Sequence, residues 1–540
     1  MVKSLKQRSV MSHQFSQIPS VNLPRSTFKR DHGYKTAFDA GNLYPIYVDE
    51  ALPGDTFSLS LTAVCRLATQ IVPIMDNMFL DFFFFAVPNR ILWENWEKFM
   101  GAQENPGDST DYLVPQVYSG PSGFGEGDVY DYMGIPPGKG VYVDALHLRA
   151  WNKIYNEWFR DENLQDSVPE HVDDGPDPVG SYYILPRGKR HDYFTSCLPW
   201  PVKNGQSIDL PLGDTAPVIG LAKANQNYAW DGTTTMPPSY ETGGSTTISY
   251  ASAQDMNAAS EDGTVRIQED PNNPGYPGVF ADLSAATAAT INSLREAFQL
   301  QRMLEKDARS GTRYTEVIRG HFRVESPDGR MQRPEFLGGG TIPIQIQPIA
   351  QTTPTGIVPD VTPQGNLSSI GYAAGGGISW TKSFTEHCCI IGIVNARADL
   401  TYQQGLRKMW RRQTRYDFYW PSLSHIGEQP VRSSEVYLSG NPDDDIVFGY
   451  QEAFADYRYF PSMITGLLRS DATNSLDVWH LSQDFPDRPA LNEEFIKSQP
   501  PVDRCIAVTG EKQFIYDSFI KLRTTRPMPV YSVPGLIDHF

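Results

Sequence analysis

From Asp55 onward the chain alternates with a period of two. Phe57, Leu59, Leu61, Ala63 and Cys65 are interleaved with Ser58, Ser60, Thr62 and Val64. Successive side chains of a strand point to opposite faces, so this pattern predicts a half-buried β-strand. A second segment, Met78 to Val87 (MFLDFFFFAV), is apolar almost throughout and interrupted only by Asp81. It predicts a strand buried on both faces, ended by Pro88 and Asn89, and it is far too short to cross a bilayer. From Thr315 onward short β-type runs dominate, at 316–324, 341–350, 387–401, 431–438, 463–470, 476–483 and 513–523. In the last of these Phe514, Tyr516, Ile520 and Leu522 alternate with Asp517, Lys521 and Arg523.

Helical signals are fewer. Trp93 and Trp96 suggest a short helix within Ile91 to Phe99. Asp144 can cap a helix over about 145–160, with Leu146, Trp151, Ile154, Tyr155 and Trp158 on one face. The clearest helix spans about 284–308, with Ile291, Leu294, Phe298 and Leu304 along one side. Gly and Pro number 86 of 540 residues, or 16%, against roughly 12% in ordinary chains. Irregular strand spacing, long connections and no repeat of 20–50 residues predict a mainly β fold: an all-β sandwich with large loop insertions rather than βαβ units.

The net charge is −17, which as a bulk value argues against a nucleic-acid binder. Its distribution says otherwise. Residues 101–131, 161–178 and 254–282, all rich in turn formers, carry −18 together, and the other 462 residues carry +1. The acid therefore sits on surface loops. Bases concentrate in two places. The first 30 residues hold Lys3, Lys6, Arg8, Arg25, Lys29 and Arg30 with no acid, and read as an extended basic arm. The run 403–415 holds Arg407, Lys408, Arg411, Arg412 and Arg415 with no acid, and Tyr416, Phe418, Tyr419 and Trp420 follow at once.

The first 30 residues lack the roughly 7–15-residue apolar stretch of a secretory signal. Five cysteines without a C-x-x-C pair make no disulfide framework and are expected to be reduced, with the adjacent Cys388 and Cys389 pointing to opposite faces of a strand. Gly120-Pro-Ser-Gly123 breaks the nucleophile-elbow pattern, and Gly134 to Gly140 has the wrong spacing for a phosphate loop. The acidic turn Asn441 to Asp445, and His171 with Asp173, Asp174 and Asp177, read as solvated clusters rather than metal sites. No catalytic residue, metal or cofactor is expected.

The run 402–420 is the most informative local feature. Single-stranded nucleic acid is held by a positive groove with aromatic rings for base stacking, and Arg407, Lys408, Trp410, Arg411, Arg412, Arg415 and Tyr416 supply that combination. The competing reading is a turn or loop whose arginines meet acids at a subunit interface, where arginine and aromatics are enriched.

Several long strings go further. SVNLPRSTFKRDHGYKTAFDAGNLYPIYVDEALPGDTF (20–57), SPDGRMQRPEFLGGG (326–340), QPIAQTT (347–353), DLTYQQGLRKMWRRQTRYDFYWPSLSHIGEQPV (399–431), FGYQEAFADYRYFPSMITGLLRS (448–470) and LDVWHLSQDF (476–485) resemble the major capsid protein family of the Microviridae, in its gokushovirus branch of small tailless single-stranded-DNA phages. The resemblance implies one eight-stranded antiparallel jelly roll with long insertions, spanning 1–540. Copies would assemble, in a host bacterial cytoplasm, into a T=1 icosahedral virion shell around circular single-stranded DNA. By position, 221–278 would be the exposed variable insertion that clusters at the threefold axes and serves host attachment. The family also implies an internal scaffolding protein, a small basic DNA-binding protein, a minor pilot protein and a receptor on the bacterial surface as partners. The DNA-contacting residues are inferred from charge, not from the resemblance. Two other classes remain: a surface or secreted carbohydrate-binding β-sandwich, disfavoured by the missing signal, and a carbohydrate-active enzyme on such a sandwich.

Overall fold

A computed structural model describes residues 24–202, 291–310, 332–352 and 365–531, with isolated pairs and residues between 218 and 321. The chain divides into two compact units, 1–201 with 311–540, and 202–310.

The first unit is built on a nine-membered antiparallel array. Strands β1 (Ser26–Lys29), β2 (His32–Phe38), β3 (Tyr44–Ala51), β4 (Thr56–Leu67) and β5 (Met78–Pro88) come early in the chain. After the small pair β6 (Gln116–Tyr118) and β7 (Tyr142–Asp144) come β8 (Glu335–Ala350), β9 (Leu367–Ser383), β10 (Cys388–Ala398), the small pair β11 (Glu428–Arg432) and β12 (Val447–Glu452), and β13 (Phe514–Arg526). β1 and β2 lie end to end along β13 in one register, Ser26 opposite Arg526 and Phe38 opposite Phe514. They act as one interrupted strand. One sheet is then β1/β2–β13–β4–β9 and the other β8–β5–β10–β3, eight strands in a jelly-roll sandwich.

β8 joins the two sheets. Its residues 335–344 pair with β5 and 345–350 with β9. The register slips between Phe336 and Gly338, and a Cβ on Gly339 would lie 2.3 Å from the Phe82 carbonyl oxygen. Only glycine lets the bent strand sit this close to its neighbour.

The core explains the two kinds of sequence pattern. β4 alternates because Phe57, Leu59, Leu61, Ala63 and Cys65 face the space between the sheets while the residues between them are mostly exposed. Phe514, Tyr516, Ile520 and Leu522 of β13 meet Leu80, Phe82 and Phe84 of β5 in the same core. β5 and β10 are apolar on both faces because a second layer covers their outer side. There α3 (Leu146–Trp158), which follows the short α1 (Trp96–Phe99) and α2 (Val129–Tyr132), sets Leu148, Trp151, Ile154 and Tyr155 among Phe85, Val87, Cys389 and Ile391. Cys388 and Cys389 do face opposite cores. Asp144 accepts the Leu146 N–H at 2.7 Å, but it stands one residue before the N-cap, which is Ala145.

Other expectations need correction. Ile91 to Phe99 forms a 3₁₀ turn (Asn89–Ile91) and one α-turn, α1 (Trp96–Phe99). Residues 26–29 of the expected arm are β1. β9 lacked a clean alternation because its register shifts between Gly375 and Ile378. The described residues of 316–324, Glu316, Gly320 and His321, are helical. Of 431–438 only the first two residues belong to a strand, and 463–470 and 476–483 contain 3₁₀ turns instead (Gly466–Leu468, Asp477–Trp479). Their apolar residues serve local packing rather than a ladder; Val431 and Val436, for example, join Tyr193, Phe194, Phe448 and Phe495 in a third, smaller core.

In the second unit, three antiparallel two-residue pairs are nested: Val218–Ile219 with Phe280–Ala281, Leu221–Ala222 with Arg266–Ile267, and Tyr240–Glu241 with Ile248–Ser249. The 221–278 stretch lies wholly inside this unit. The following helix, Ile291–Ser310, confirms the periodic segment from its described start, with Phe298 exposed; the expected start at 284 lies outside the described residues.

Candidate nucleic-acid interface

The basic–aromatic run lies in the long excursion between β10 and β13. Its base is bolted to the body. Gln403 Nε2 donates to Ser470 Oγ at 2.8 Å, Gln404 Nε2 to Asp484 Oδ1 at 2.8 Å, and the Leu406 N–H to the Ser434 carbonyl at 2.8 Å. Gly405 passes so near the next segment that a Cβ there would lie 2.0 Å from the Glu435 carbonyl oxygen. Beyond this anchor the chain folds into consecutive 3₁₀ turns, Lys408–Arg411, Arg415–Asp417 and Pro421–Leu423. Thr414 and Asp417 cap each other, and N–H bonds from Thr414 and Gln413 hold the Asp417 carboxyl below its ordinary pKa.

The five bases separate into two groups. Arg411 is paired with Asp445 and the Ser434 hydroxyl. Arg412 is paired with Asp456, and its guanidinium lies 4.2 Å above the Tyr457 ring. These two are structural ties. The other three have no ion pair among the described residues. Arg407 stacks 4.1 Å over Phe460, Lys408 donates to Gln429 Oε1 at 3.0 Å, and Arg415 lies 5.4 Å from the rings of both Tyr416 and Trp420. Trp410 is 69% exposed and Tyr416 66%.

Arg407, Lys408, Trp410, Tyr457 and Phe460 line one cleft of about 580 Å³, with Glu435 and Asp456 also in its wall. Burial raises the Glu435 carboxyl, against the Arg432 N–H bond that lowers it. Tyr457 and Phe460 were missed as site residues because they lie some forty positions downstream; the signal was their own aromatic–basic string, Tyr457-Arg458-Tyr459-Phe460.

Arm residues behave differently. Lys3, Lys6 and Arg8 lie outside the described residues. Arg25 donates to the Gly54 carbonyl at 2.6 Å, Lys29 pairs with Asp31 at 3.2 Å, and Arg30 grips Asp49 with both nitrogens at 2.7 and 2.9 Å. None of these three bonds to residues 407–416 among the described residues.

The acidic clusters are engaged by the protein itself. Asp444 accepts the Ser439 and Gly440 N–H groups, and Asp445 binds Arg411 and Arg432. Asp177 accepts Arg149 at 2.6 and 2.8 Å and the Tyr182 hydroxyl at 2.6 Å, which occupies one of the two carboxylates grouped with His171. No helix among the described residues is long and apolar enough to cross a membrane.

A jelly roll enlarged by long excursions is a recurrent design of viral coat proteins, although fold alone does not assign function. Comparison with known proteins supplies the assignment. Residues 16–536 match the phage family described as capsid protein (F protein). Capsid protein VP1 of Bdellovibrio phage phiMH2K is 45% identical over 537 residues, covering 98% of each chain. Capsid protein VP1 of Chlamydia phage 1 is 43% identical, covering 99% of this chain and all of the relative. Capsid protein VP1 of Spiroplasma virus 4 is 36% identical, with the same coverage. The chain belongs to this phage capsid protein family, in the gokushovirus branch of the Microviridae. Its role is structural: it is a component of the virion and assembles into a multimeric shell.

Proposed function

We propose that copies of this chain close into a T=1 icosahedral shell around circular single-stranded DNA, and that the 402–420 excursion carries DNA contacts. The observation that supports this reading is the division of the bases. Arg407, Lys408 and Arg415 stand beside exposed Trp410 and Tyr416 with no ion pair among the described residues, while Arg411 and Arg412 are spent on holding the turns. Phosphates would take the three unpaired cations and bases would stack on the open rings. Lys3, Lys6 and Arg8 of the arm would add further phosphate contacts, whereas Arg25 and Arg30 tie the arm to the sandwich and Lys29 pairs with its neighbour Asp31. The 221–278 insertion would serve host attachment through a surface receptor. An internal scaffolding protein, a small basic DNA-binding protein and a minor pilot protein complete the assembly.

The test compares particles built from the wild-type chain with particles of the triple variant Arg407→Ala, Lys408→Ala, Arg415→Ala. Wild-type particles should protect single-stranded circular DNA from nuclease. The variant should assemble but release or fail to retain DNA at moderate salt. Equal DNA content and equal salt resistance would overturn the assignment of these residues.

A further inference from the structure

The structure assigns a second single-stranded-nucleotide site, at the end of α3 and far along the chain from the basic run. Five rings form one connected cluster. Phe159 packs on Phe83 and Phe85 at 5.3 and 5.9 Å between centroids, Trp158 on Phe85 at 5.4 Å, and Phe336 on Phe85 and Trp158 at 5.5 and 6.0 Å. Trp158 and Phe336 remain 46% and 42% exposed, and the Trp158 indole N–H donates to the Pro334 carbonyl at 3.0 Å, which fixes the plane of the ring. The platform is therefore rigid before any ligand arrives.

The edge of the platform is cationic. The cleft of about 540 Å³ above it is lined by these rings and by residues 187–191, and no carboxylate is among the described lining residues. Arg187 is engaged by Asp81. Arg190 and His191 are exposed and make no side-chain hydrogen bond or ion pair among the described residues. Lys189 keeps its ammonium buried 4.2 Å over the Phe495 ring, with no hydrogen-bond partner among the described residues. Flat open rings with cations along one edge and no acid fit a base with its phosphate. This inference rests on the reading that the shell encloses single-stranded DNA.

The test measures binding of labelled oligothymidylate to dissociated full-length subunits over a salt series. Arg190→Ala with His191→Ala should weaken binding and reduce the salt slope by about one or more. Trp158→Leu should cost about 5- to 150-fold, the range of one base–aromatic stack, and Trp158→Phe should recover most of it. Unchanged affinity and slope in these variants, while Arg407→Ala with Lys408→Ala weakens binding, would overturn this site and leave the enclosure reading intact. Failure of the wild-type chain to bind at all would sink both. Normal oligonucleotide binding combined with loss of assembly would make the face a contact between copies and overturn the proposal.

Discussion

Asp81 interrupts the most apolar segment of the chain, and replacing it should damage the fold more than replacing any exposed acid. Its carboxylate sits 5% exposed within β5. Oδ2 accepts from Arg187 Nη1 at 2.5 Å and Arg397 Nε at 2.7 Å, and Oδ1 accepts the Thr341 hydroxyl at 2.7 Å. One carboxylate thus ties β5 to β8, to β10 and to the 187 segment. Asp81→Asn keeps the shape and removes the charge, leaving the Arg187 guanidinium with no carboxylate among the described residues and Arg397 with only the half-exposed Asp399, 3.4 Å away. Breaking one partner of a buried pair costs about 3–5 kcal/mol. Burial by itself would raise the Asp81 pKa, but the bonds from Arg187 and Thr341 and the charge of Arg187 outweigh it, and the carboxyl is held below its ordinary value. A carboxyl depressed in the folded state contributes stability above its unfolded pKa of about 3.9 and loses that contribution as pH falls through the folded value. Urea unfolding of dissociated subunits should therefore show a gap of about 3–5 kcal/mol between wild type and Asp81→Asn at pH 7, narrowing below about pH 4. A gap at pH 7 within ~0.5 kcal/mol, the range of ordinary surface changes, would refute the reasoning.

Further outcomes follow from other contacts. All five cysteines are free and buried, and burial pushes the Cys65 and Cys388 thiols up to about 12 and Cys505 to about 11; thiol titration of native subunits at pH 8 should be slow, and denaturant should release all five, whereas fast reaction of one would contradict its placement. Gly405→Ala drives a Cβ to 2.0 Å from the Glu435 carbonyl, so limited proteolysis should cut the 399–512 excursion far faster than in wild type while β4 and β13 stay protected. Arg412→Ala removes the partner of Asp456 and the cation over Tyr457, and should loosen the cleft and lower thermal stability, whereas Arg415→Ala, with no ion pair among the described residues, should leave stability within ~0.5 kcal/mol and act on DNA retention alone.

The sandwich was legible where periodicity is undisturbed. β4 and β13 could be read because each alternates over its full length, and β5 because four consecutive phenylalanines need two apolar layers. β9 was hidden by its glycine-rich bulge, where Gly375 to Gly377 resets the alternation. β1 and β2 were hidden by polar residues, since an edge position alongside β13 leaves much of each strand wet. Asp81 looked like an interruption because its partners lie 106 and 316 residues away. The basic run was legible as a composition, but its division was not: Asp445 and Asp456, which claim Arg411 and Arg412, come from segments 34 and 44 residues downstream. Sequence distance also concealed the ring cluster of Phe83, Trp158 and Phe336, which only the fold brings together.

The central claim is a closed shell around single-stranded DNA with the 403–415 run turned toward it. A cryo-EM reconstruction of assembled particles tests it most directly. The account predicts a T=1 shell of this chain, with interior density reaching Arg407, Lys408, Arg415 and the rings of Trp410 and Tyr416. A shell in which that run faces outward, or in which carboxylates of neighbouring copies occupy all three cations, would contradict it.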